Sequence, residues 1–172
     1  MTRRSTLALI LALLAPSWTA CANEDDDYCA MQEHWPRGWI EYEATVYDLV
    51  NHRRFEGATC DGAYYPPVPP LRADPELRCA ARVHAADMAR RDYFSHSNPE
   101  GEGFVDRVFQ TDYMGTPTGE NIAYGLAPPE VVMAALMDSP GHCRNIMSSR
   151  HTAIGVGFFG QRDYWAQVMG RD

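Results

Sequence analysis

Residues 153–169 read Ala153-Ile-Gly-Val-Gly-Phe-Phe-Gly-Gln-Arg-Asp-Tyr-Trp-Ala-Gln-Val-Met169. Two apolar runs, 153–159 and 164–169, flank the polar tetrad Gly160-Gln161-Arg162-Asp163, the composition of a β-hairpin. A third strand is expected near residues 120–124. The patterning ahead of these strands is helical. Tyr42, Val46, Tyr47, Leu49 and Val50 fall near the helical period and predict a helix over 40–55, ended by Gly57. Asp74-Pro75-Glu76 offers an N-cap, a first-turn proline and a first-turn acid for a helix reaching Arg91, with Leu77, Ala80, Ala81, His84 and Met88 on one face. Shorter helices are expected at 104–109, at 128–137 and, from Ser139-Pro140, through 147. Residues 58–71, carrying Tyr64-Tyr-Pro-Pro-Val-Pro-Pro70, read as an extended loop because proline removes a backbone donor and restricts its predecessor. Helices first and a hairpin last place the chain in the α+β class, a small antiparallel sheet with helices packed over it.

The first twenty residues have the build of an export signal: Arg3-Arg4, an apolar core over 7–15, then Pro16-Ser-Trp-Thr-Ala20 ahead of Cys21. That core is too short to span a bilayer. Thr19-Ala20-Cys21 resembles a lipobox, with Trp18 where leucine is usual, while Ala20-Cys21-Ala22 also suits ordinary signal peptidase. The lipoprotein reading is preferred, with Cys21 lipidated and residues 21–39, including Asn23-Glu-Asp-Asp-Asp27, forming a tether and N-terminal arm before a domain over 40–172. Membrane attachment is then by lipid alone, and the location is extracytoplasmic, either an envelope lipoprotein or a secreted protein. Cys29, Cys60, Cys79 and Cys143 remain, an even set that in an exported chain reads as two disulfides. None has the close spacing of a zinc knuckle. The net charge of −8 argues against nucleic acid or anionic lipid headgroups as partners.

Three polar clusters beside Gly or Pro carry the chemistry: Tyr93-Phe-Ser-His96-Ser-Asn-Pro99, Gly119-Glu120-Asn121-Ile-Ala123 and Ser139-Pro-Gly-His142. His96, Glu120 and His142 form a set of two imidazoles and a carboxylate, which suits zinc or another divalent ion with one position left open for water. A metal-bound water with Glu120 as base would make a hydrolase, so the three residues are also the catalytic candidates. The same set can instead be a hydrogen-bonded strut pinning loops. His84 reads as a core-packed helix histidine, and His34, His52 and His151 are expected outside the group. Ser95 and Ser139 are poor nucleophile candidates, since near neighbours on a chain rarely face each other.

Val50-Asn51, the helix over 77–88, Phe94-Ser-His96, Gly119-Glu-Asn-Ile-Ala123, Ser139-Pro-Gly-His142-Cys-Arg-Asn-Ile-Met147, Ile154-Gly-Val-Gly157 and Tyr164-Trp-Ala-Gln167 together resemble the bacterial branch of the CAP superfamily. The resemblance covers 40–169 and implies a three-layer α-β-α sandwich around a small central sheet with a central cleft. It implies two histidines and two acids in that cleft, matched here by His96, His142 and Glu120. Neither Glu130 nor Asp138 falls where animal members carry the second acid, and Leu136 stands where relatives often have Trp. The resemblance also implies that Cys60 pairs with Cys143, which leaves Cys29 for Cys79. It favours an envelope binding or structural module that takes a small apolar ligand or an envelope component. A metal-assisted hydrolase is the second reading, and a protein-interaction module using the Pro-rich loop is the third.

Overall fold

The structure is a computed structural model that describes residues 28–172. The export signal, Cys21 and the acidic tether lie outside the described residues. The elements run α1 (Arg37–Glu56), β1 (Ala58–Cys60), β2 (Ala63–Tyr65), β3 (Arg72–Ala73), α2 (Pro75–Arg91), α3 (Phe104–Val108), β4 (Thr116–Ala123), α4 (Pro129–Asp138), α5 (Pro140–Ile146), β5 (Ala153–Phe159) and β6 (Tyr164–Arg171). A 3-10 helix, Ala30–His34, precedes α1. No described helix is long and apolar enough to cross a membrane.

The main sheet has strand order β3-β5-β6-β4, antiparallel except where β3 runs parallel to β5. Both faces are covered, so the period of two in the closing hairpin sorts side chains between two cores. Ile154, Val156, Phe158, Trp165 and Met169 join Val46 and Val50 of α1, Val132, Met133 and Leu136 of α4, and Ile146 of α5. Ala153, Phe159, Tyr164, Ala166 and Val168 join Leu77, Ala80, Ala81, Ala85 and Met88 of α2. The result is the α-β-α sandwich. In β5 the residues that face α2 between Ala153 and Phe159 are Gly155 and Gly157. A Cβ at Gly155 would lie 2.0 Å from the backbone of Leu77 and Arg78, and one at Gly157 would lie 2.4 Å from that of Ala81 and Arg82. The helix therefore rests directly on the strand.

α2 starts as its cap signal requires: the Asp74 carboxylate accepts from the backbone N–H of Glu76 and of Leu77, each at 2.9 Å. Ser139 occupies the cap position of α5, but its hydroxyl makes no cap hydrogen bond. The helix at 40–55 begins earlier, at Arg37, after Pro36. Residues 58–71 are not wholly a loop, for β1 and β2 pair as a hairpin about Asp61 and Gly62, both at positive φ. The Asp-Gly pair is a strong turn signal that the prolines downstream overshadowed. The Pro-rich segment then lies against α1, where Arg54 donates to the Pro69 carbonyl and Asn51 bonds both the N–H and the carbonyl of Leu71.

Disulfides Cys29–Cys79 and Cys60–Cys143 tie the arm to α2 and the first hairpin to α5. Two buried charges add long-range ties. Glu43 of α1 accepts from the guanidinium of Arg82 in α2, from Trp35 Nε1 and from the Phe158 N–H of β5. Burial pushes its carboxyl up, and Arg82 opposes that shift. Arg54 donates to the carbonyls of Ile146 and Ser148, closing the C-terminal end of α5, and its burial lowers its pKa to about 10.

Candidate functional site

Glu120 projects from β4 on the same face as Ile122, toward α2, and is buried. Both of its oxygens are committed. Oε2 accepts from Arg107 Nη2 of α3 at 2.7 Å, and Oε1 accepts from His96 Nδ1 at 2.8 Å. The same Arg107 nitrogen reaches the His96 backbone carbonyl at 3.0 Å, so one guanidinium holds both the acid and the loop that carries the imidazole. Because a carboxylate only accepts, Nδ1 of His96 carries a proton in this bond. The His96 side chain is 55% exposed while that of Glu120 is 1% exposed, which separates a ligand-facing group from its support.

His142 opens α5, half-buried. Its pKa is lowered from the ordinary histidine value, first by burial and then by the charge of His96. The influence of His96 on His142 spans 46 residues of sequence.

His84 was expected to lie outside this group, and the structure corrects that. It is a buried helix histidine whose Nε2 donates to the Ser95 carbonyl at 3.0 Å, yet the same atom lies 4.0 Å from Glu120 Oε1. It thus forms the floor beneath the loop carrying His96. Its pKa is pushed down to about 4, mainly by burial and against the pull of Glu120. His151, also buried, donates from Nε2 to Asn145 Oδ1 and bonds the Thr118 hydroxyl through Nδ1, and Asn145 in turn donates to the Glu120 carbonyl and to Asn121 Oδ1. This network fixes β4 against α5. It explains Gly119, where a Cβ would come within 2.7 Å of Asn145 Oδ1. Gln167 accepts from Asn121 Nδ2 at 3.0 Å across the β4–β6 register. His34 and His52 are exposed and remote, the latter paired with Glu56.

Glu120, expected in a ligand set from the sequence, is engaged by Arg107 and His96. Among the described residues no group of three or more His, Cys, Asp or Glu side chains is placed to hold a metal ion. With one bond to each oxygen, Glu120 stands as an orienting partner behind His96. His96 Nε2 and the His142 ring remain, two donors where a zinc centre ordinarily takes three or four from the protein. Glu130 and Asp138 lie exposed on α4, and Leu136 is packed in the core. Arg107, the residue that organises the site, carried no sequence signal: a single arginine in a five-residue helix looks like any surface charge.

A model of the cysteine-rich secretory protein family, CAP, matches residues 47–169. The chain belongs to the CAP family. Among curated relatives it is 33% identical over 132 residues to the uncharacterized protein YkwD of Bacillus subtilis (strain 168), across 77% of this chain and 48% of the relative. It is 31% identical over 135 residues to the uncharacterized membrane protein YlbC of the same strain, across 78% of this chain and 36% of that protein. The chain therefore spans about half or less of these relatives. Among solved structures, an extracellular SCP-domain protein of Bacillus anthracis str. Ames superposes with TM-score 0.67 at 25% identity, over 77% of this chain and 41% of that one. An outer surface protein of Borrelia burgdorferi superposes with TM-score 0.66 at 19% identity, over 76% and 92%. The latter shows the shared CAP fold alone.

Proposed function

We propose that this CAP domain is an extracytoplasmic binding module of the bacterial envelope, presenting His96 and His142 to a ligand. The carrying observation is the division of labour at Glu120: the acid is buried and held by Arg107, and it serves to aim an exposed imidazole. A hydrolase using Glu120 as base would have to draw on an oxygen that already accepts from Arg107 or His96. Two disulfides and the extracellular relative support an oxidising location. Lipidation at Cys21 belongs to the same proposal. A divalent ion is one ligand class for the imidazole pair, and a small apolar or polar envelope component is another.

The test is elemental analysis combined with unbiased extraction of small molecules from one sample purified from its native host, repeated with the His96→Ala/His142→Ala double variant. A co-purifying metal or molecule that the variant loses supports the module. Turnover of ester, amide or phosphoester substrates abolished by the same variant would replace it with the hydrolase.

A further inference from the structure

Eight large apolar side chains are exposed among the described residues, and of these Phe94 and Tyr124 are the two in ring contact, with centroids 6.0 Å apart. Both are about half exposed, at 51% and 48%. They come from separate elements, the loop after α2 and the end of β4, and Tyr164 of β6 backs Tyr124 at 4.6 Å. Folding does not require them to meet in water, since each leaves half its surface unburied. Their placement follows the cleft. Just past the end of β4, Tyr124 stands four residues beyond Glu120, about 13 Å of extended chain. The loop crosses the strand so that His96 meets Glu120 at one end and Phe94 meets Tyr124 at the other. Beyond the rings lies the Arg162–Asp92 ion pair, whose arginine also feels the charge of Tyr124.

We infer that Phe94 and Tyr124 form a stacking platform for a neutral oligosaccharide whose further hydroxyls reach His96 and His142. This rests on the binding-module reading and names its ligand class. Open aromatic faces between two polar ends suit a molecule with apolar C–H faces and a rim of hydroxyls. A fatty chain or sterol gains chiefly by enclosure in an apolar cavity. The cavity of 330 Å³ against β5, lined by Ile40, Tyr47 and Val156 together with Glu43, Asp74 and Arg78, is built from other residues.

The experiment titrates the full chain with chitotriose and, separately, maltotriose, reading the Phe94 and Tyr124 ring resonances and the imidazoles by NMR. Dodecanoate and zinc are titrated in parallel. At least one trisaccharide should give saturable shifts at both rings and at His96. Phe94→Ala and Tyr124→Ala should each weaken it about fivefold or more, with Phe55→Ala as an unaffected exposed control. Tyr124→Leu provides a second variant that keeps bulk while removing the ring. Binding unchanged by any of these substitutions would overturn the platform. Imidazole shifts with dodecanoate or zinc, but none with either sugar, would overturn the glycan assignment and leave the binding module standing. Silence toward all four probes would remove both.

Discussion

At the scale of single residues, the central fact is that Glu120 and Arg107 are both buried and bonded to each other, side chains 1% and 4% exposed. Removing one partner of such a pair strands the other charge in the interior, which is far costlier than losing a surface ion pair. Glu120→Ala should therefore lower stability by about 3–5 kcal/mol. Glu120→Gln, which keeps shape and one acceptor for Arg107, should cost less. Urea denaturation of the two variants measures the difference, and a loss under about 1 kcal/mol for the alanine variant would show that the pair does not anchor the site. His96, Glu120 and His142 were legible in the sequence because each stands beside Gly or Pro in a polar cluster. Arg107 and the nearness of His84 were not, because their roles arise from contacts across 13 and 36 residues that no local pattern records.

At the scale of elements, the Gly155-Val156-Gly157 alternation sets how closely α2 approaches β5. Alanine at either glycine would drive a Cβ into helix backbone, which unlike a flexible side-chain tip cannot swing aside. Gly155→Ala and Gly157→Ala should each destabilise by about 1–3 kcal/mol or more, the ordinary cost of overpacking. Gly38→Ala, in α1 with open space around its Cβ, should be neutral or stabilise by up to about 1 kcal/mol. Thermal melts of the three variants test this ordering, and equal melting temperatures for Gly155→Ala and Gly38→Ala would refute the contact. The helix ends and closing strands were legible from caps and periodicity. The β1–β2 hairpin was missed because the proline run after it dominated the composition, and β3 because two residues are too short for any pattern.

At the scale of the whole molecule, His84 and His151 couple stability to pH. Both are buried and neutral, with pKa values pushed down to about 4, chiefly by burial, against an ordinary value near 6.5 for the unfolded chain. Between those values the unfolded chain binds protons that the fold does not, so stability falls as pH drops from about 7 toward 4 and stops changing from this cause below 4. Each histidine contributes at most about 3 kcal/mol to the fall. Urea midpoints at pH 7, 5.5 and 4 should decline, and His84→Gln and His151→Gln should each flatten the decline. A profile that neither substitution alters would show that the imidazoles are not held neutral. The sequence by itself determined the α+β class, the order of the helices and closing strands, the cap of α2 and an even set of cysteines, because these depend on periods of two and 3.6 residues and on local backbone chemistry. Only the tertiary structure decided that Glu120 is held by Arg107, that His84 lies beside it, and that Phe94 and Tyr124 meet. Which partner occupies a carboxylate oxygen or an aromatic face depends on where distant segments cross the sheet, and that crossing is set by packing of the whole chain.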